Sequence, residues 1–503
     1  MRRRSGFLVA GLWALLAAAT AGAIDVPGTG GRVEAGGHID GLAVVDTGGG
    51  PLQRPQAIGN VKMDAKGTEW LYGHLELLGQ LGGPPNGAQA GIFNFRDTFQ
   101  NKSPSLELAE LYAELRSARA DVFVGVQRVA WGKLDGIPPT DVINPREYHD
   151  PIVQEYEETK LGIPMVQASY YFPDIPKLSL DQLRATLIYV PIPVPPLLSF
   201  PGERWFPPTT GQSQAVIPPN QEQLCQMFGL TECFVPVTIG TANDPPARTF
   251  DAGAIAGRLS GSIRGVDWDI YHYSGPETAP NVDLTAELIL DSEPPPGALP
   301  VRAIATLRQA NATMHMTGFD LAAVFGGATV RAEAAFFQDR HYLRAASALV
   351  AEVLNDAEEL AQIISEVQQS GRANVPLSDL FLATDSAEWG VGVDYLINGF
   401  FPLIQLTQVI PYQDATGLLI SDPETRLTGL LRKRFLQDRL ELECRTFWAL
   451  ERGSWFVFPR ISYLVVENLR ARLGYLAIGG PRESLIGQYK QNDEVIFEAR
   501  YSF

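Results

Sequence analysis

Six histidines, with the serines, acids and cysteines around them, decide what reaction chemistry this 503-residue chain could carry. A hydrolase needs a serine nucleophile, a histidine base and a carboxylate or amide that orients the base. His272 and Ser274 stand two apart, so on a strand they share one face. No third group is placed to orient His272, and no Gly-x-Ser-x-Gly elbow accompanies His38, His74, His149, His272, His315 or His341. The patterns HExxH, CxxC and CxxCH are missing, which leaves zinc, thiol-redox and covalent haem chemistry without ligands. The residues point away from an enzyme, with no cofactor and no metal.

What the chain does repeat is charge on one side of alternating segments. Arg439, Glu441, Glu443 and Arg445 alternate with Leu440, Leu442, Cys444, Thr446 and Trp448. Arg470 and Arg472 oppose Leu469, Ala471, Leu473 and Tyr475, while Arg331 and Glu333 oppose Val330, Ala332, Ala334 and Phe336. The last segment, Asp493–Phe503, sets Glu494, Glu498, Arg500 and Ser502 against Val495, Phe497, Ala499, Tyr501 and Phe503, with Ile496 as an apolar intruder. Period two is the signature of a strand with one apolar and one polar face. A soluble sandwich shows the same alternation, so the discriminator must come from elsewhere.

It comes from the two ends and from the turns. Arg2–Arg4, the apolar run Gly6–Ala19 and the small residues Ala21-Gly22-Ala23 read as a cleaved secretory signal over Met1–Ala23. No later run supplies the ~20 apolar residues of a spanning helix. Tight links (Arg116–Ala120, Gly261–Gly265, Gly326-Gly327, Asn398-Gly399, Gln437-Asp438, Glu467-Asn468) alternate with long ones: Ala130–Gly162, Pro191–Ala247, Ser274–Thr313, Asp339–Ser386 and Pro411–Glu424. Short turns on one rim and long loops on the other are the asymmetry of outer-membrane barrels. A terminal Phe after an amphipathic strand fits the same class. Residues 24–503 are therefore expected to form an all-β transmembrane antiparallel barrel. Counting back from Phe503 gives eighteen strands, with sixteen as the alternative; the first two, near 32–45 and 56–66, carry the weakest signal.

Composition agrees. The chain is 45% hydrophobic and 19% charged, with 48 Gly, 16 Tyr and 24 Phe. Removing 1–23 takes three arginines and no acid, leaving 37 basic against 57 acidic residues, or −20. That balance disfavours a nucleic-acid partner, which needs a basic stripe, and none is expected. Three cysteines exclude a disulfide scaffold. Cys225 and Cys233 could close a small disulfide in a Pro-rich loop, and Cys444 sits in a strand as a small apolar residue.

One long loop carries a motif. Gly125–Pro151 contains Gly125, Gln127, Arg128, Trp131, Gly132, Asp135, Asp141, Val142, Asn144, Pro145, Arg146 and Asp150. This stretch resembles proteobacterial outer-membrane proteins grouped as domain of unknown function number 1302, with Val126 where that group's arginine is expected and Arg128 two places on. The resemblance implies an outer-membrane barrel with a transport role. From the residues alone, four prolines stiffen this loop. It either folds into the lumen, where Asp135, Asp141, Arg146 and Asp150 set the bore, or plugs the mouth. A second loop, Ala346–Gln369, repeats Val350, Val353, Leu354, Ala357, Leu360, Ala361, Ile364 and Val367 at helical spacing, predicting one amphipathic helix outside the barrel.

The functional expectation is a porin-like channel or export conduit in the bacterial outer membrane. Its charged, loop-constricted lumen would be lined by Gln127, Arg128, Trp131, Asn144, Arg331, Glu333, Arg432, Arg439, Glu441, Glu443, Arg445, Arg470, Arg472, Glu498 and Arg500, besides the loop acids. Arginines crowd the last strands and acid the early loops, so either a transverse field or a salt-bridged plug results. The alternative is a non-conducting assembly partner of a periplasmic lipoprotein or an envelope export complex. Expected partners are outer-membrane lipid and lipopolysaccharide and the barrel-insertion machinery.

Overall fold

Alternation of this strength, repeated along the chain, resolves into one closed sheet. The computed structural model describes residues 24–47, 56–82, 105–199, 201, 203–208, 214–216, 225–226, 229–242, 252–279, 281–310, 312–413 and 417–503. The expected signal segment lies outside them. Eighteen strands form the wall: β1 (Val33–Asp46), β2 (Gln56–Lys66), β3 (Leu71–Gly82), β4 (Ser105–Arg116), β5 (Ala120–Gln127) and β6 (Ile163–Tyr171). They continue through β7 (Leu180–Val190), β8 (Ala254–Ile263), β9 (Val266–Pro276), β10 (Thr313–Phe325), β11 (Ala328–Leu343) and β12 (Phe381–Tyr395). The last six are β13 (Phe400–Pro411), β14 (Glu424–Phe435), β15 (Leu440–Ala449), β16 (Ser454–Val466), β17 (Leu469–Gly479) and β18 (Glu494–Ser502). Every neighbouring pair is antiparallel, and β1 pairs β18 from His38↔Ser502 to Asp46↔Glu494. No sheet edge is left, which is what a wall without water on its outside requires.

The faces separate as the alternation demands. Val391, Val393, Leu427, Leu431, Leu442, Leu473 and Phe497 stand exposed on the outside, while Glu333, Gln405, Glu443 and Asp320 are buried within. The outer belt is the apolar band of a transmembrane barrel. Ile496, the intruder, points inward and is 4% exposed, packed with Val44, Phe458, Leu476 and Ile478. It is apolar because the interior here is protein rather than water.

Above the long-loop rim sits a second sheet that the sequence pattern does not announce. Its strands are Gln214–Val216, Phe234–Ala242, Val282–Leu290, Val301–Gln309 and Arg372–Val375, with one parallel pair, Phe234–Ala242 beside Val301–Gln309. The expected single helix is two, α1 (Ala346–Asn355) and α2 (Ala357–Ser370). Asp356 interrupts them because its carboxylate caps the backbone N–H groups of Glu358 and Glu359. Ile363, not Ile364, is the buried residue of that stretch of α2. Cys225 and Cys233 are disulfide-bonded and packed with Val235, Leu299 and Leu354 of this cap. Alkylation without reduction should therefore label only Cys444, the free cysteine. A Cys225→Ser, Cys233→Ser double variant should still insert a full barrel, read as an unchanged heat-modifiable band, since the bond lies outside the wall.

The chain after β7 crosses the mouth to the seam between β1 and β18. Arg204 places Nη1 2.8 Å from Asp46 Oδ2, Nε 3.0 Å from Glu494 Oε2 and Nη2 3.1 Å from the Asp493 carbonyl oxygen. Asn492 donates back to the Arg204 carbonyl at 2.7 Å, and Trp205 lies against Tyr489. First and last strands are thus clasped by a loop from elsewhere in the ring.

Candidate functional site: the lumen and the loop inside it

β5 stops at Gln127, and residues 128–162 turn into the barrel instead of away from it. Asn144 makes that turn: its Oδ1 accepts from the Val129 N–H at 2.8 Å, and its Nδ2 donates to the carbonyls of Gln127 and Leu161 at 3.0 and 2.8 Å. Gln127 donates to the Met165 carbonyl at 3.0 Å. Asp141, 1% exposed in its side chain, holds Arg146 at 2.6 Å and Lys160 at 2.9 Å. Arg146 also lies 3.4 Å over the Tyr156 ring, and burial pushes the Tyr156 hydroxyl well up. Asp150 accepts from the Val153 N–H at 3.3 Å. These contacts tie the loop to itself and to the strand ends that flank it. Trp131, expected at the bore, is 3% exposed and packs on Tyr271 with Val142, Ile143, Met316 and Phe337. An apolar seam thus glues the loop to one half of the wall.

Three polar anchors add to it. Glu333 on β11 accepts from the backbone N–H groups of Lys133, Leu134 and Thr140 at 3.0, 3.2 and 2.6 Å and from the Thr140 hydroxyl at 2.7 Å. Gly132 (φ +84°) makes this cradle, since a Cβ there would meet both Glu333 carboxylate oxygens at 2.8 Å. Lys133 reaches Asp269 and Asp320 of β9 and β10, each at 2.5 Å. Asp320 also accepts from the Tyr271 hydroxyl at 2.6 Å, and Asp269 from Arg258 at 2.7 Å. On the far wall Glu155 meets Arg460 at 2.7 Å and Arg445 at 3.5 Å, and Glu158 lies 3.4 Å from Arg500.

The other expected residues distribute as follows. Arg331 pairs Asp394 and lies 3.5 Å from Asp135. Arg432 pairs Glu443 at 2.7 Å, Arg434 pairs Glu441 at 2.7 Å, Arg472 pairs Glu498 at 3.0 Å, and Arg500 grips Asp40 with two contacts of 2.8 Å. Arg470 is partly buried and has no ion-pair partner among the described residues. Arg439 is on the rim turn, not the lumen wall, and donates to the Leu464 and Val465 carbonyls. Arg128 lies 2.5 Å from Glu76 and 3.6 Å from Glu110. It supplies the positive charge beside His74, Glu76 and Glu110, whose ligand atoms lie within 4.8 Å of one another. His272 points outward, Nδ1 3.0 Å from Thr317 Oγ1, on the face opposite to buried Tyr271 and Tyr273. Among the described residues no carboxylate pairs with its imidazole.

Lys133, Asp269, Asp320, Arg460 and Arg204 were not among the residues the sequence singled out as lumen-lining. Asp269 could have been found, since it sits on the charged face of an alternating segment. Arg460 is obscured because it follows the near-continuous run Trp455–Pro459, in which Phe458 faces inward and is 1% exposed.

What remains open is a cavity of about 870 Å³ between loop residues 134–159 and the inner faces of β13–β16, reaching Leu419 and Ile420 above. Its wall carries Arg426, Arg432 and Arg445, and its loop side Asp135, Glu155 and Glu157. Burial raises the Asp135 carboxyl, with Arg331 only partly offsetting it. Burial opposes ionisation of Glu155 too, but Arg445 and Arg460 outweigh it and hold that carboxyl below the usual glutamate range. A depressed folded-state value stabilises the docked loop at all pH above the ordinary glutamate value, and the stabilisation fades as pH falls through the depressed one. The share of loop docking that Glu155 holds should thus be constant from neutral pH down to the ordinary glutamate range and be lost below it, read in planar-bilayer recordings as a raised conductance level. Glu155→Gln should show the raised level at neutral pH in the same planar-bilayer recording.

No family model and no curated protein matches the chain. Among solved structures it is similar to Acinetobacter baumannii OccAB4 at 8% identity and TM-score 0.47, over 94% of this chain and 98% of that one. Pseudomonas aeruginosa OpdK with vanillate gives 9% and 0.45 over the same shares. The Salmonella typhi OmpF complex with daunomycin gives 9% and 0.39, over 95% of this chain and 100% of that one. At such identities the likeness concerns barrel form alone.

Proposed function

We propose that this chain is an outer-membrane channel, a porin-like conduit whose bore is narrowed by residues 128–162. The observation that carries this is the cavity along β14, lined from Arg426 through Thr428 and Leu430 to Arg432. The six steps from Arg426 to Arg432 rise by roughly 20 Å before tilt, most of an apolar band ~25 Å tall. A structural barrel has no need of a passage that long. The apolar belt supports placement in lipid, and the motif Gly125–Pro151 supports kinship with the group numbered 1302. Lipid and lipopolysaccharide would cover the belt, and the barrel-insertion machinery would read the last strand. Acid on the loop facing arginine on the wall creates a field across the passage. Purified protein in planar bilayers should give steady, ion-selective steps in KCl. A second reading, a non-conducting assembly partner, is favoured by how densely Glu155, Glu158 and Lys133 tie the loop to the wall. A silent barrel that co-purifies with a periplasmic protein would establish it instead.

A further inference from the structure

Among the described residues, Arg426 on the inner wall of the cavity forms an ion pair with Glu424, but its Nε makes no hydrogen bond. Thr407, Arg426, Ala449 and Ser454 are register partners across β13–β16. Along this row Thr407 Oγ1, Arg426 Nε and Ser454 Oγ are buried and have no hydrogen-bond partner among the described residues. The nearest carboxylate to Arg426 is Glu424 Oε1, 3.7 Å from Nε. The other wall arginines are engaged, Arg432 by Glu443 and Arg445 by Glu155 and the Val153 carbonyl. A buried, under-satisfied charged donor at a cavity wall is costly unless a ligand supplies the acceptor.

The next row carries the complementary feature. Phe447 and Phe456 are register partners whose rings stack at 5.7 Å between centroids, interplanar angle 8°, with Thr428 beside them. Leu419 and Ile420 line the same cavity. Water-filled passages have little use for such a surface, whereas a flat apolar body gains by covering it.

We propose that the cavity is a binding subsite for an organic anion with a flat apolar body, its negative group on Arg426 and its body over Phe447. This rests on the channel reading only in that the ligand would be the passenger; the site itself is testable without conductance. Charge and ring are both required, so a small anion and a neutral ring compound should each bind poorly.

Isothermal titration of the full detergent-solubilised chain with 2-naphthoate, acetate and 2-naphthalenemethanol tests it. Saturable binding is expected for 2-naphthoate alone. Arg426→Gln should weaken it about tenfold or more, the loss of one charge-assisted contact, and Phe447→Ala by a similar factor. Arg426→Lys, which keeps the charge, should recover part of the affinity, and a heat-modifiable band will show that each variant is folded. Unchanged 2-naphthoate affinity in folded Arg426→Gln overturns the proposal, as does acetate binding as tightly. Conductance steps in KCl are scored separately: binding by a silent barrel refutes the channel alone, and conduction without binding refutes this subsite alone.

Discussion

Glu333→Ala will loosen the inward loop and raise single-channel conductance several-fold. The carboxylate receives three backbone N–H groups and a hydroxyl from Lys133–Thr140, and the residue is 3% exposed. Hydrogen bonds to a charged acceptor contribute about 1.5–3 kcal/mol each but do not add in full. Docking of this segment should lose roughly 3–5 kcal/mol, as when one side of a buried charged cluster is removed. The apolar seam around Trp131 and Val142 remains, so the segment should flicker rather than leave, giving noisy steps of enlarged size. Glu333→Gln is the informative control, because one oxygen can still accept while its amide donates where only acceptors are wanted. It should sit between wild type and alanine. Steps of wild-type size and quietness in folded Glu333→Ala would show that the loop does not narrow the bore.

Lys133→Met will cost about as much by the opposite route. It leaves Asp320, with its side chain 0% exposed, and Asp269, at 3%, without the ammonium that lies 2.5 Å from each. Arg258 still serves Asp269, but among the described residues Asp320 keeps only the Tyr271 hydroxyl. An uncompensated buried charge typically costs about 3–5 kcal/mol. The expected readout is a loss of that size in the urea-unfolding free energy of the folded barrel in detergent micelles. Adding Asp320→Asn should restore much of it, since charge and countercharge are then gone together. If the double variant is as unstable as the single one, Lys133 acts through packing rather than charge.

The wall was legible because lipid outside imposes a period of two, which the clearest of the eighteen segments show plainly. Even β1 and β2, the weakest signals, lie where the alternation puts them. β11 and β12 run on above the rim to Leu343 and from Phe381, and here the pattern misleads. The register shifts between Phe337 and Arg340, with Asp339 at φ +58°, so the phase of inward and outward residues changes mid-strand. The second sheet was missed because its apolar residues pack against helices and loops, as in any soluble core, within segments read only as long connections. The site was half legible. Charges on alternating segments marked Arg432, Glu443, Arg472 and Arg500, whereas which loop residue meets which wall residue depends on a fold-back that no local period encodes. Arg445, Phe458 and Ile496 share one interior because loop side chains there exclude water.

The clasp of Arg204 on Asp46 and Glu494 sets an order on biogenesis. Its acceptors sit at opposite ends of the polypeptide, one on the first strand and one on the last, and only ring closure brings them within 3 Å of a single guanidinium. An intermediate still missing its final hairpin has no place to lay residues 203–208. Surface proteases could then tell finished from unfinished molecules by that segment alone. A nick there would report a stalled assembly, and resistance a completed one.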